Sequence, residues 1–343
     1  MTLRVSLPAR INIVGSPTDA CEGAYATLTA AIEVRGGATL TAAPRGDAPS
    51  TGGEIEVAAI AAFTRHEPEL AARLAAAPVA IETWSDVPVS SGLAGSSVLL
   101  LAVLAGLRAH YELDARRWND WALAELAQRA EEHHLGVVCG FADRYAPLFG
   151  DLAYIAYHGK LWHAPLGEEP YATYEKLGAH APPLQFVIAT SGVQRDSGAV
   201  HAPMRARYLD ERRRGAGPLL DLVRQMGETA WRGKIALLAH DLAGLGRQID
   251  RNQALVDAMM QRCGFADGAG EPVRALIDAA RAAGALGAKL TGAGGGGAIF
   301  ALPAPGDAEP LADALRSFAA RTGLASQVLV APLARDGLRV ERR

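Results

Sequence analysis

The chain has 343 residues, half of them hydrophobic and 21% charged, and its 34 basic and 37 acidic side chains leave a net charge of −3. An apolar fraction this high with so small a net charge excludes global disorder, and the charge balance argues against a nucleic-acid partner. The length supplies about two domains, and the longest apolar run, residues 98–107, is too short to cross a bilayer.

Residues 4–7 and 11–14 are rich in β-formers and predict two strands, followed by a turn at 15–19 that carries Pro17 and Asp19. Residues 31–42 and 54–57 predict further strands, separated by a polar turn at 44–53. A helix is predicted over 59–76, a short strand over 79–84 and a Ser- and Gly-rich loop over 88–95. Residues 96–111 follow a helical pattern with Ser at the start, where capping is favoured. Helices are predicted over 114–134 and 139–148, and a strand over 152–157. The polar, Pro-bearing stretch 168–183 is the best boundary, dividing the chain into 1–180 and 181–343. Beyond it come a strand at 185–190, several helices between 199 and 283, strands at 286–291 and 298–302 around a glycine cluster, a helix at 308–322 and a closing strand at 327–331. The mixed order of ββ and βα units predicts an α+β fold rather than a doubly wound parallel sheet.

Three cysteines, Cys21, Cys139 and Cys263, show no CxxC or metal-ligand spacing, so no disulfide framework is expected and a reducing compartment fits. No basic stretch leads into an apolar N-terminal segment, which predicts a cytoplasmic protein without a secretory signal.

Four stretches carry chemistry. The loop Pro88-Val-Ser-Ser-Gly-Leu-Ala-Gly-Ser-Ser97 runs straight into a helix. Its glycines allow close backbone approach to an anion, and the helix start adds unpaired N–H donors and the positive dipole end. The Gly-Lys-Ser/Thr ending of a Walker loop is missing. Taken alone, a capped Ser-rich loop explains these residues equally well. The second stretch, Lys289-Leu-Thr-Gly-Ala-Gly-Gly-Gly-Gly297, places five glycines between two apolar strands, a backbone expense that suits tight turning or packing against another loop. Third, Arg10 and Asp19 flank a strand and its turn. Fourth, Cys139-Gly-Phe-Ala-Asp143-Arg144 follows Glu131 and Glu132, so carboxylates on successive helices can serve as metal ligand and base. Surface or packing roles are expected for His133-His134, Asn252 and the basic run Arg212–Arg214, while Trp84, just before the Ser- and Gly-rich loop, suits contact with an adenine and a core or rim place equally.

Taken in order, these stretches resemble the three motifs of the GHMP kinases, the family of galactokinase, homoserine kinase, mevalonate kinase and phosphomevalonate kinase. Within it the chain is most similar to glucuronokinase. It shares the extra residue in Gly92-Leu-Ala-Gly-Ser-Ser97, the turn Gly15-Ser-Pro-Thr-Asp19, and the stretch Asp196-Ser-Gly-Ala-Val-His201 followed by Arg205 and Arg207. The resemblance implies an α+β, two-domain fold with ATP, Mg²⁺ and a small-molecule sugar substrate in the cleft between domains. The protein would be a monomer or homodimer without nucleic-acid or membrane partners. It implies catalytic roles for Asp143 as base and Arg10 as charge stabiliser. The phosphate cradle would be Pro88, Gly92, Leu93, Ala94, Gly95, Ser96 and Ser97. Substrate contacts would come from Asp19, Asp143, Gly292 and Gly294. Mg²⁺ would be held by Ser97 and one of Glu131 and Glu132, with Glu131 favoured. Arg144, on the helix beside Asp143, is expected to point elsewhere, and Lys289 to support the third motif.

The sequence also departs from its relatives. Ser16-Pro17 stand where galactokinases carry Glu-His, while Ala24 and Ala199 stand where glucuronokinases carry basic residues. A uronic acid's carboxylate wants such a basic partner. The resemblance implies phosphorylation at the anomeric hydroxyl, with a uronic acid, a neutral sugar, a heptose phosphate and a modified sugar open as acceptors and a heptose-phosphate or mevalonate-type kinase as the enzymatic alternative. The same fold without catalysis would be a nucleotide sensor, but the retained Arg10, Ser97 and Asp143 favour an enzyme.

Overall fold

The computed structural model describes residues 2–21, 25–44, 50–51, 53–160, 164–193, 198–294 and 296–343. In chain order the elements are β1 (Thr2–Val14), β2 (Ala26–Ala42), β3 (Ser50–Thr51), α1 (Glu54–His66), α2 (Pro68–Ala76), β4 (Val79–Ser85), α3 (Gly95–His110), α4 (Asp120–His133), α5 (Ala142–Phe149), β5 (Leu152–Ala156), β6 (Thr173–Lys176), β7 (Gln185–Thr190), α6 (Gly198–Arg214), α7 (Pro218–Leu238), α8 (Leu242–Arg262), α9 (Glu271–Ala282), β8 (Gly287–Thr291), β9 (Ala298–Leu302), α10 (Ala308–Thr322), β10 (Val328–Pro332) and β11 (Arg339–Arg342).

Among the described residues the strands form two sheets. The first has seven strands in the order β11-β1-β2-β4-β3, with β5 also on β2 and β6 on β5; the second runs β10-β7-β9-β8. Every pairing is antiparallel except that of β3 with β4, which makes the fold α+β as the element order implies. The long β2 takes β4 along residues 36–42 and β5 along 26–30.

Three apolar clusters build the core. Inward residues of β1 and β2, such as Val5, Leu7 and Leu40, meet Phe63 of α1, Tyr145 of α5 and the apolar run of α3. That run is buried on all sides between sheet and helices, so its lack of amphipathicity reflects a central helix. A second cluster covers the second sheet with α6 to α10. The third joins Ile11, Ile13 and Leu28 of the first sheet to Phe186, Ile188 and Phe300 of the second, with Leu245 and Ile249 of α8 between them. This shared core sets the two sheets in fixed relation and leaves the cleft described below.

Several elements differ from the sequence reading. The strands expected at 4–7 and 11–14 are one strand. Pro8, which suggests a break, sits at a register shift between Pro8 and Ala9, where a missing N–H is tolerated. Residues 54–57 are not a strand but the first turn of α1. Their Glu-Ile-Glu-Val alternation mimics a strand, yet Glu54 and Glu56 favour the positive helix end, and Glu56 is buried, accepting a 2.8 Å hydrogen bond from Thr83 Oγ1. The helix expected over 59–76 splits at Glu67, because Pro68 starts a new helix at its first position. The helix expected from 114 begins at Asp120, where Asn119 caps it by accepting the Ala122 N–H at 3.0 Å. The helix expected from 139 begins at Ala142. β6 lies inside the stretch taken as a boundary and pairs with β5. Finally, β11 returns to pair with β1 beyond the strand expected to close the chain. Its four residues are all exposed, so no hydrophobic alternation marks it; the free edge of β1 supplies its bonds. Most of the turn at 44–53 lies outside the described residues.

Candidate active site

The ends of β1, the loop before α3, the start of α5, the first turn of α6 and the loop between β8 and β9 surround a cleft of about 410 Å³. The loop before α3 passes through left-handed backbone at Ser90 (φ 54°), Gly92 (φ 72°) and Ala94 (φ 69°). Ala94 precedes the helix and makes no side-chain cap bond, so the capping expected of the serines is not realised. Val98 N–H bonds to the Ala94 carbonyl, which leaves the N–H groups of Gly95, Ser96 and Ser97 without an intrahelical acceptor. All three residues line the cleft. The two serine hydroxyls instead reach α4, each donating to Glu131 Oε1 at 3.0 Å.

The glycine cluster packs directly on this loop. A Cβ on Gly92 would stand 2.4 Å from the Thr291 carbonyl oxygen, and one on Gly292 (φ 79°) 2.6 Å from Gly92 Cα. Neither site has room for a side chain, so the two loops meet backbone to backbone. Thr291 Oγ1 closes the contact by donating to the Gly92 carbonyl at 3.0 Å. The packing against another loop that the cluster's glycines suggest is seen for its described members; Gly295 lies outside the described residues.

Arg10 ties these parts together. Its guanidinium is 2% exposed. Nε donates to Asp143 Oδ1 at 2.7 Å, Nη2 forms an ion pair with the same carboxylate, and Nη1 donates to the Gly92 carbonyl at 2.6 Å. Asp143 keeps a quarter of its side chain open to the cleft. Asp19 is buried beside it and accepts the Ala142 N–H, in the first turn of α5, at 3.0 Å. A Cβ on Gly140 would lie 2.1 Å from Asp19 Oδ2, so only glycine admits this carboxylate. Burial pushes the Asp19 carboxyl up and the Asp143 charge adds to that rise, against the Ala142 hydrogen bond and the neighbouring arginines.

Glu131 and Glu132 have separate environments. Glu131 faces the serines and forms a buried ion pair with Arg144. Glu132 pairs with Arg205 of α6 and accepts from Gln128 Nε2 at 2.5 Å. Arg144 does turn away from the cleft, as expected, but into a structural role unforeseen from the sequence. It holds Glu131 from behind and donates to the Gly140 carbonyl at 2.6 Å. Burial pushes it down to about 9, which leaves it cationic at neutral pH.

Lys289 is buried, its ammonium donating to the carbonyls of Asn12 at 3.3 Å and Leu290 at 3.0 Å. It thus braces β8 against β1 below the third motif. Burial lowers it from the ordinary 10.5 to about 7, and Arg10 adds to the fall. Between these values the folded chain binds fewer protons at Lys289 than the unfolded chain, so folding stability rises with pH above about 7. Urea unfolding midpoints should therefore climb from pH 7 to pH 9, and Lys289→Met should flatten that part of the rise; an unchanged slope would exclude the lysine as its source.

Other candidates fall outside the cleft. Trp84 lies under the Arg4 guanidinium, 4.7 Å from the ring centre, and is not in the cleft lining. His133 and His134 are exposed, and the described residues hold no cluster of three His, Cys, Asp or Glu side chains able to bind a metal. Asn252 is buried within α8, outside the cleft, and neither amide atom has a partner among the described residues. Arg213 and Arg214 are exposed and pair with Asp210. Gly23, Ala24, Arg195, Asp196 and Ser197 lie outside the described residues. The cysteines are free, and no described helix is long and apolar enough to cross a membrane. Among the cleft residues to which the sequence assigns no role is His201, in the first turn of α6. Its only signal was its place in the stretch ending Gly-Ala-Val-His201.

Family models for the GHMP kinases N terminal domain and the GHMP kinases C terminal match residues 54–151 and 234–321, together more than half of the chain. A mevalonate kinase of Pyrococcus abyssi is 27% identical over 290 residues, 83% of this chain and 76% of that protein. Glucuronokinase 1 of Arabidopsis thaliana is 28% identical over 233 residues, 68% of this chain and 60% of that protein. The fold superposes on Lactococcus lactis galactokinase complexed with galactose with a TM-score of 0.74 at 20% identity, covering 98% of this chain and 95% of that one. The chain belongs to the GHMP kinase family, with that family's two-domain α+β fold. It is a small-molecule kinase.

Proposed function

We propose that the protein transfers the γ-phosphoryl group of ATP to a sugar hydroxyl, at the anomeric position, in an Mg²⁺-dependent reaction. The observation that carries this reading is that one cleft holds open helix N–H donors with the Ser97–Glu131 pair at one part, and the Arg10–Asp143–Asp19 cluster at another. The similarity to a glucuronokinase and a galactokinase supports the sugar; the position rests on the motif resemblance to glucuronokinase and galactokinase. We place the division between the two units at 1–180 and 181–343, with β11 returning to the first.

The phosphates would lie along the cradle of Pro88, Gly92 and Ala94, taking hydrogen bonds from the N–H groups of Gly95, Ser96 and Ser97 at the positive end of α3. Leu93, expected in the cradle, is instead buried in the third apolar cluster, off the cleft lining, with its carbonyl accepting the Arg10 N–H at 3.2 Å. Gly292 and Gly294 would line the substrate side with backbone. Ile55, Val87 and Leu99 give another part of the cleft an apolar lining that suits a nucleoside base. The hydroxyl of Ser97 and the carboxylate of Glu131 are hard oxygen donors that fit Mg²⁺, an ion commonly held by one or two carboxylates plus substrate phosphates. When bound, the ion neutralises charge on the phosphates. Asp143 accepts the proton of the attacking hydroxyl as its oxygen bonds to the γ-phosphorus and the bond to ADP breaks. Asp19 accepts hydrogen bonds from other hydroxyls. Arg10 holds Asp143 in place and offsets charge at the reacting end. Such a reaction needs positioning and charge neutralisation more than covalent chemistry from the protein.

A coupled ADP-release screen over free sugars, uronic acids, sugar phosphates and mevalonate tests this. Turnover of sugars supports the reading. The 27% identity over 83% of the chain to a mevalonate kinase favours a second reading, a mevalonate-type kinase, which turnover of mevalonate alone would select; turnover of heptose phosphates alone would select that acceptor. Nucleotide binding with no turnover would point to a sensor on the same fold. Ser97→Ala removes one of the two proposed ligands. It is expected to raise the Mg²⁺ concentration for half-maximal rate by about tenfold, on the scale seen when metal-site partners are lost. An unchanged Mg²⁺ requirement would exclude Ser97 as a ligand.

A further inference from the structure

The first turn of α6 brings into the cleft one side chain that the phosphoryl-transfer scheme does not use. His201 lines the cleft together with Arg10, Asp19, Gly140 and Asp143. Neither of its ring nitrogens bonds to a described residue, and Nδ1 is shut off from solvent. Nδ1 is closed to a ligand as the ring stands, whereas Nε2 is not among the enclosed atoms, so the free hydrogen-bonding capacity that the ring offers the cleft is at Nε2.

We propose that His201 determines acceptor specificity: its imidazole hydrogen-bonds a hydroxyl of the acceptor near the one that Asp143 addresses, and so selects a polyhydroxyl compound that is uncharged where it meets the ring. This rests on the reading of the cleft as a kinase active site.

The charge state of the ring supports a hydroxyl over an anion. Burial lowers His201 to about 4, and Arg205, Arg144 and Arg10 push it the same way, against Asp143 alone. The ring is therefore neutral at pH 7, with one nitrogen a donor and the other an acceptor. A hydroxyl matches either nitrogen, whereas a carboxylate or phosphate would find no positive charge there. The carboxylates of Asp19 and Asp143 line the same cleft and, when ionised, only accept hydrogen bonds, so they favour a ligand rich in O–H donors.

The ring is also held in place. Arg205 stands one helical turn along on the same face of α6, pairs with Glu132 of α4 and donates to the Cys139 carbonyl at 2.7 Å. Val200, Met204 and Tyr208 anchor the neighbouring face in the second core cluster. α6 is thus clamped against the segment that leads into Asp143, and His201 meets the acceptor side of the cleft from a rigid element, as a specificity residue requires.

The test compares the full chain with its His201→Ala, His201→Asn and His201→Gln variants. ADP release is measured with galactose, glucose, mannose, glucuronate and mevalonate, and thermal unfolding confirms that each variant is folded. For a sugar that the wild type turns over, His201→Ala is expected to raise acceptor KM about tenfold or more while the KM for ATP stays within about twofold. Asn and Gln place an amide near the positions of Nδ1 and Nε2 respectively, so one of them should restore much of the lost affinity. If His201→Ala does not fold, the two amide variants carry the test, since a specificity role requires them to differ in acceptor KM alone. An unchanged acceptor KM, a parallel rise in KM for ATP, or amide variants no different from each other and from wild type would overturn the proposal. Those outcomes presuppose wild-type turnover of a sugar; a wild type that turns over none overturns the sugar-kinase reading, and this inference with it, and leaves the family and the other acceptors standing.

Discussion

Asp143→Asn is expected to lower turnover by about 10²–10⁴-fold, the range for loss of a general base, while nucleotide affinity changes little. The substitution keeps the volume and the Oδ1 acceptor that receives the Arg10 Nε hydrogen bond at 2.7 Å. It removes only the charge and the ability to accept the proton of the attacking hydroxyl. Asp143 keeps a quarter of its side chain open to the cleft, so it can meet a substrate without rearranging α5. Steady-state ADP release measures the first effect and calorimetric titration with ATP the second. Turnover equal to wild type would remove Asp143 from the role of base. Tight nucleotide binding with no turnover is the pattern a base predicts.

Arg10→Ala is expected to damage folding and catalysis together. The guanidinium is enclosed and bonds to α5 through Asp143 and to the loop before α3 through the Gly92 carbonyl, with the Thr291 hydroxyl 3.5 Å away. Its loss leaves the Asp143 carboxylate without its cation and the Gly92 carbonyl with only the Thr291 hydrogen bond. Breaking a buried pair by removing one partner typically destabilises by about 3–5 kcal/mol. Because Asp143 is partly open to water, the lower end, about 3 kcal/mol, is expected here. Urea denaturation at pH 7 reads that term, and a midpoint equal to wild type would show that Arg10 is not the tie described. Arg10→Lys should recover little, since an ammonium cannot span Asp143 and the Gly92 carbonyl with the planar fork of a guanidinium.

Arg10 also shows where sequence reading stops. From the chain alone it is a basic residue near the end of a β-forming stretch, for which an exposed ion pair is the commoner explanation. Its family resemblance suggests a site, but that it joins three motifs depends on contacts with residues 82, 133 and 281 positions away. The same holds for Arg144. Helical spacing correctly turns it away from Asp143, yet only the packing of α4 against α5 shows that it holds Glu131. Of the two adjacent glutamates the family resemblance favours Glu131; only the packing of α4 against α3 and α6 shows that Glu131 goes to the serines and Glu132 to Arg205.

Local chemistry was legible where it acts locally. The Gly- and Ser-rich loops, the run of α3 and the α+β order follow from glycine's backbone freedom, continuous apolar spacing and the alternation of element types. Signals that rely on one period failed where two explanations coincide, as in Glu54–Val57, whose alternation also fits a helix start with acidic residues facing the dipole. β11 was invisible because its pairing comes from the edge of β1 and not from its own side chains.

By itself, then, the sequence determined the family and the materials for a site: a Gly- and Ser-rich loop at a helix start, a glycine loop able to lie beside it, and carboxylates and an arginine of the types that phosphoryl transfer uses. Those properties reside in single residues and short spacings. Tertiary structure alone decided which groups meet: Gly92 against Gly292, Ser97 with Glu131, Asp19 under the start of α5, and His201 across the cleft. Such contacts join residues far apart in the chain, and they exist only once burial of the three apolar clusters has fixed the two sheets and their helices in place.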